Sequence, residues 1–184
     1  MESGTETMPG PQRPGGSGGE RASWLWLLVS AAVLAGDQLT KYLVVSSFEL
    51  FERLTIGPFF DLVRLHNTGA AFSLLATASG WQNWVFGGIA VAVSIAILAW
   101  FSRLPAGRIA LPLGLALVLG GAIGNLIDRA VHGYVVDFVL LHYDRWSYPA
   151  FNVADSAITC GVILLLLDGL VLERRRNPAT RSDG

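Results

Sequence analysis

Four long apolar runs decide most of what this 184-residue chain can become. They lie at about Trp24–Val45, Trp84–Phe101, Ile109–Ile127 and Phe151–Leu172. A helix needs about 20 mostly apolar residues to cross about 30 Å of hydrocarbon. Inside hydrocarbon every backbone N–H and C=O must find a partner within the protein, and a single run does that only as a helix. The runs use up most of the chain and leave room for one domain. The expectation is an all-α membrane protein, a four-transmembrane-helix bundle. Charged residues make up only 15% of the sequence, against about a quarter in ordinary soluble domains. Trp24, Trp26, Trp81, Trp84 and Trp100 fall at run ends, as interfacial anchors do. The first run begins like a secretory signal, with Arg21 ahead of it and Ala35-Gly36 within it. Apolar character resumes after Asp37, however, and the full length suits a span better than a cleavable core.

The segments between the runs are organised too. Residues 1–22 are rich in Gly, Pro, Ser and Glu, and read as a disordered tail. Residues 23–173 form the membrane domain, and 174–184 a basic tail. Gly57-Pro58 is a turn signal, and Phe59–Asn67 after it reads as one or two strands. Residues 128–150 are polar and aromatic. Arginines 13, 21, 103, 108, 174, 175, 176 and 181 fall on one side of the bundle, whereas Arg53, Arg64, Arg129 and Arg145 fall on the other. This bias places both termini in the cytoplasm and the two longer loops, 46–80 and 128–150, outside. A net charge of −1 argues against nucleic acid, which requires a clustered basic surface. The lone cysteine, Cys160, reads as a small buried filler.

Ionisable groups within or at the edge of a span are expensive and mark candidate functional sites. Here they gather at one end. Asp37 and Lys41 lie toward the outer end of the first span. Asn125, Asp128 and Arg129 end the third, Asn152 and Asp155 begin the fourth, and Asp137 lies in the loop between. Asp37 and Lys41, four apart, can pair on one helix face, in either a structural or a chemical role. Asn-x-x-Asp occurs twice, at Asn125/Asp128 and Asn152/Asp155. Its spacing puts amide and carboxylate on one face, although Asn152 also suits an N-cap. Asp137 is flanked by Val135, Val136, Phe138 and Val139, an apolar setting that raises a carboxyl pKa. Arg129 beside Asp128 favours its ionised form.

Two neighbouring carboxylates share a proton. One can then act as base toward water while the other donates to a carbonyl oxygen. Other chemistries lack their parts: His66, His132 and His142 are scattered without HExxH, and there is no nucleophile elbow or phosphate loop. Gly120 and Gly124 form a small-xxx-small pair, which reads as helix packing. Symmetry of the two Asn-x-x-Asp elements pairs Asp128 with Asp155, while local environment pairs Asp137 with Asp155. Spacing does not choose between them.

The segments DQLTK (37–41), NTGAAFS (67–73), GGAIGNLIDR (120–129), VVDF (135–138) and FNVADSAIT (151–159) together resemble those of lipoprotein signal peptidase, or signal peptidase II, a family of bacterial membrane aspartyl peptidases. The resemblance spans about residues 24–172. It implies four spans with both termini cytoplasmic, a small periplasmic β-sheet from the 46–75 region and a short periplasmic helix or loop. It implies Asp137 and Asp155 as the catalytic pair. Asn67, Asn125, Arg129 and Asn152 become substrate contacts and Asp128 a support oriented by Arg129. For Asp37 and Lys41 it is the i, i+4 spacing, and not the resemblance, that favours the structural role. The family's substrates are diacylglyceryl prolipoproteins in the inner membrane, cut just before the lipidated cysteine. Globomycin-type cyclic peptides inhibit it, membrane lipids surround it, and neither metal nor other cofactor is implied. The rival readings are a small proton-coupled transporter and a structural scaffold. Transport needs polar groups from face to face, and here only Asp168 lies near the inner side. A scaffold leaves the converging carboxylates unexplained.

Overall fold

A computed structural model describes residues 24–69, 81–104 and 108–172. The expected tails, 1–22 and 174–184, lie outside the described residues, as do parts of the NTGAAFS segment and of the 46–80 loop. The element order is α1 (Leu27–Ser47), β1 (Arg53–Gly57), β2 (Phe60–Asn67), α2 (Trp81–Phe101), α3 (Ala110–His132), β3 (Val135–Tyr143), β4 (Trp146–Ser147) and α4 (Val153–Leu167). A π-helical turn, Asp168–Leu172, continues α4.

Among the described residues, four helices are long and apolar enough to cross a membrane; with its continuation, the span at α4 reaches Leu170. At 1.5 Å per residue each covers roughly 27–35 Å. In α3, 67% of the most apolar stretch is buried, against 17–22% in the other three. α3 is therefore the central helix, with α1, α2 and α4 packed around it. Leu115, Leu119 and Ala116 of α3 form the core with Ile97 and Phe101 of α2. The outward residues of the other helices, such as Leu28, Leu39, Trp84, Ile95 and Ile163, are apolar and exposed, which is a lipid-facing pattern. Cys160 belongs to this exposed surface and is not the buried filler suggested by its residue type.

Small residues let the backbones approach. A Cβ on Gly120 would lie 2.6 Å from the Ser30 carbonyl oxygen of α1, and one on Gly124 would lie 2.6 Å from Asp37 Oδ2. The small-xxx-small pair is thus the α1–α3 contact. Ser30 Oγ adds a hydrogen bond to the Ala116 carbonyl across it, at 2.8 Å.

α3 runs past the apolar boundary at Ile127 by more than a turn. Gly133 stops it in the left-handed region, φ 79°, with its N–H on the Arg129 carbonyl. The chain then enters β3. The sheet is antiparallel in the order β1-β2-β3-β4. The Gly57-Pro58 turn joins β1 to β2, and the expected strand at Phe59–Asn67 forms as β2. Half of the sheet comes from residues 135–147, beyond the 46–75 region to which the resemblance points. There is no helix in the described parts of either connecting region, 48–69 and 133–152. The run Val135–Leu141 is nearly continuous in apolar residues and so hides its strand alternation. Val135, Val136, Asp137 and Phe138 are all buried, because β3 lies on the helix ends as well as in the sheet.

Candidate active site

Three elements bring the acids together. β3 carries Asp137, α4 carries Asp155 in its first turn, and Asn67 ends β2, paired with Val135. Asp137 and Asp155 both line a cavity of about 420 Å³, which is walled by Leu65, His66, Tyr148 and Phe151. Asp128 does not line it.

Every carboxylate oxygen of the two acids accepts one N–H. Asp137 Oδ1 accepts from Asn152 Nδ2 at 2.8 Å, and Oδ2 from Asn67 Nδ2 at 2.9 Å. Asp155 Oδ1 accepts from Asn125 Nδ2 at 2.7 Å, and Oδ2 from the Asn152 backbone N–H at 3.2 Å. Asn152 therefore touches both acids. An asparagine donates this way only if its oxygen is turned away, and each oxygen has its own donor. The Gly69 N–H reaches Asn67 Oδ1 at 2.8 Å, the Asp155 N–H reaches Asn152 Oδ1 at 3.0 Å, and Lys41 Nζ reaches Asn125 Oδ1 at 3.0 Å. The Asn152–Asp155 exchange is a full capping box at the start of α4. The N-cap reading of Asn152 and its polar role near the acids are one geometry.

Asp137 is only 3% exposed. Burial, and then the charge of Asp155, push its carboxyl up to about 7, while Asn67, Asn152 and Lys41 pull the other way. The apolar flanks of Asp137 in the sequence lead to the same expectation.

A second polar layer lies behind the first. Lys41 pairs with Asp37 at 2.8 Å and with Asp128 at 2.9 Å. Asp37 Oδ1 accepts the Ala154 N–H of α4 at 2.8 Å, and Asp128 Oδ2 accepts the Val136 N–H of β3 at 3.1 Å. The i, i+4 pairing of Asp37 with Lys41 forms as its spacing predicts. The expected orientation of Asp128 by Arg129 does not. Lys41 and Gln38 make the side-chain contacts of Asp128, since consecutive helical residues face different directions. Arg129 instead donates to the Asn125 carbonyl at 3.3 Å and lies over the Phe86 ring, 5.4 Å from its centroid.

Two grooves adjoin the cavity. One, of about 480 Å³, runs among α2, α3 and α4 past Phe86, Ile89, Val118 and Ile158 up to Asn125 and Asp155. The other, of about 300 Å³, follows the outer face of α4 past Leu141, Thr159 and Cys160. Sequence reasoning missed Gln38, the cavity wall at His66 and Tyr148, and a cluster on the sheet. In that cluster Arg53 and His142 both meet the buried Asp61. Burial pushes the Asp61 carboxyl up, but hydrogen bonds from Arg53, His142 and Thr55 outweigh this and hold it below the ordinary range. His66 stacks on Tyr134 with centroids 3.7 Å apart. Among the described residues, no group of acids, histidines and cysteine is arranged to hold a metal ion.

Comparison with known proteins places this geometry in a family. Residues 29–171 match the family model described as signal peptidase (SPase) II. The chain is 49% identical over 145 residues to the lipoprotein signal peptidase of Ectopseudomonas mendocina, covering 78% of this chain and 86% of the relative. It is 50% identical over 150 residues to that of Pseudomonas syringae pv. tomato, with 80% and 86% covered. Two solved bacterial membrane enzymes share the fold. One has a TM-score of 0.70 at 27% identity, covering 87% of this chain and 93% of the other; the second has 0.69 at 30%, covering 80% and 93%. With four helices fit to span a membrane and a sequence match along most of its length, the chain belongs to the signal peptidase II family, the aspartic-type signal peptidases of bacterial membranes.

Proposed function

We propose that the protein removes signal peptides from diacylglyceryl-modified prolipoproteins, cutting just before the lipidated cysteine, with Asp137 and Asp155 as the catalytic pair. The observation that carries this reading is the convergence of the two acids on one cavity, with each of their oxygens held by a fixed N–H. In the proposed sequence the proton that the coupled pair shares starts on Asp137, the buried acid whose carboxyl is pushed up to about 7. Asp155, ionised, takes a proton from water as the oxygen attacks the scissile carbonyl. Asp137 gives its proton to the carbonyl oxygen. In the tetrahedral intermediate Asp155 returns its proton to the leaving nitrogen, Asp137 recovers its own, and the C–N bond breaks. No metal or covalent nucleophile is needed. Asn67, Asn125 and Asn152 hold the acids, and together with Arg129 they meet the substrate backbone.

The apolar groove among α2, α3 and α4 suits the signal helix, which would enter sideways from the membrane and bring the scissile bond level with Asp155. The groove beside Thr159 and Cys160 suits an acyl chain. The arginine bias supports cytoplasmic tails at 1–22 and 174–184 and a site on the outer face of the inner membrane. The same reading makes the enzyme sensitive to globomycin-type cyclic peptides.

Cleavage of a diacylglyceryl prolipoprotein tests the proposal. Asp137→Asn and Asp155→Asn are expected to abolish turnover, and Asp128→Asn to reduce it in part. Robust activity in either of the first two sinks the pair. Complete loss in a stably folded Asp128→Asn revives the symmetric pairing of Asp128 with Asp155.

A further inference from the structure

We infer that Lys41 is a positioning residue, whose buried ammonium fixes the amide of Asn125 and through it the carboxylate of Asp155. This rests on the reading of Asp137 and Asp155 as the catalytic pair. An ammonium has three N–H donors and no acceptor. In Lys41 they meet three oxygens: Asp37 Oδ2 at 2.8 Å, Asp128 Oδ2 at 2.9 Å and Asn125 Oδ1 at 3.0 Å. Lys41 is 4% exposed, so water does not compete for these donors. An Asn125 turned the other way would set its NH₂ against the ammonium, donor against donor. The orientation seen is therefore forced, and it aims Asn125 Nδ2 at Asp155 Oδ1, 2.7 Å away. Asn152 Nδ2 also donates to Asn125 Oδ1, but at 3.3 Å and without a full charge.

Charge neutralisation alone does not describe this cluster. Two buried acids, Asp37 and Asp128, face one cation, and one of its three donors goes to a neutral amide. Gln38 supplies the rest of the frame. Its Nε2 lies 3.0 Å from Asp128 Oδ1 and 3.3 Å from both Asp37 Oδ2 and the Gly124 carbonyl. Asp37 and Asp128 in turn accept the Ala154 and Val136 N–H groups, next to Asp155 and Asp137 respectively. One turn of α1 thus sets the aim of Asp155 through Asn125, and ties down the strand and the helix that carry the two acids.

The test compares wild type, Lys41→Met and the double variant Asp37→Asn/Lys41→Met in a bilayer with a diacylglyceryl prolipoprotein. The double variant removes one cation and one anion, so the cluster keeps its net charge. We expect it to melt near wild type yet lose kcat by on the order of 100-fold, the scale of a misplacement of about 1 Å, with KM within about threefold. In an Asn125→Ala background, the same pair of changes should cost less than about twofold more, because both act through one amide. If the Met variants do not accumulate folded, Lys41→Gln takes their place in the same cycle. Wild-type kcat in the folded double variant, or an effect that multiplies undiminished on top of Asn125→Ala, overturns the positioning role. Turnover retained by Asp155→Asn strikes the catalytic pair itself. An inactive Asp155→Asn beside a fully active double variant strikes only the role of Lys41.

Discussion

Replacing Asp137 by asparagine removes a group whose proton affinity folding has changed, and stability should register this. Its carboxyl rises from 3.8 to about 7 through burial and the charge of Asp155. A raised carboxyl pKa favours the folded state while the group is protonated. That contribution is whole below the unfolded pKa of about 4 and is lost as pH climbs through the folded value. A shift of about 3 units at about 1.36 kcal/mol each amounts to about 4 kcal/mol. Wild type should therefore lose about 4 kcal/mol relative to Asp137→Asn between about pH 4 and about pH 8, on the order of 10 °C in apparent melting temperature. The variant has its own fixed cost, since its NH₂ meets the donors of Asn67 and Asn152. That cost does not depend on pH and cancels when the gap between the two proteins is followed across pH. Thermal unfolding in one detergent at a series of pH values gives the gap directly. Because the two acids titrate as a pair, the gap reports proton binding by both. Parallel stability curves for wild type and Asp137→Asn would refute the idea that Asp137 is held in a proton-favouring site.

Two further substitutions separate functions that the fold combines. Asn152→Ser keeps a side-chain acceptor for the cap of α4 but loses the amide donated to Asp137; melting should stay within a few degrees of wild type while kcat falls roughly 2–10-fold, the worth of one hydrogen bond to a neutral carboxyl. Asn152→Ala loses both, and should also destabilise by about 1 kcal/mol more, read in the same melting assay. Gly121→Ala should reduce the yield of folded protein sharply, because its Cβ would lie 2.4 Å from the Ala154 carbonyl, backbone that cannot yield without shifting the helix that carries Asp155. Wild-type melting for Gly121→Ala would contradict this packing.

The four spans were legible because hydrocarbon imposes a length and a composition that few other structures share. Their ends were less so. Apolar character stops at Ile127, yet α3 continues to His132, since a helix needs only its own hydrogen bonds and Gly133 supplies the stop. β3 was hidden for the opposite reason. A strand covered on both faces has no alternation, so Val135–Leu141 reads as apolar loop or helix until its partners are known. The lipid-facing position of Cys160 shows the same weakness, because apolar character marks burial in water and exposure in a bilayer alike.

Composition and spacing identified the polar residues of the site but not how they are connected. Asn125, Asp128, Asn152 and Asp155 were visible as charges and amides in the wrong solvent, and their repeat suggested a symmetric pair. Folding breaks that symmetry, because the two Asn-x-x-Asp elements sit at opposite helix ends. At the C-terminal end of α3, Asp128 turns back to Lys41, Gln38 and the Val136 N–H. At the N-terminal end of α4, Asp155 closes a capping box and faces the cavity. Free N–H groups are found only at a helix N-terminus, so the same four-residue pattern makes a cap in one place and a buried brace in the other. Asp137, which belongs to neither repeat, meets Asp155 at the cavity because β3 returns antiparallel to β2 and draws Asn67 to its other oxygen. Which acids meet is thus decided by helix polarity and strand pairing, neither of which can be read from the spacing of the residues themselves.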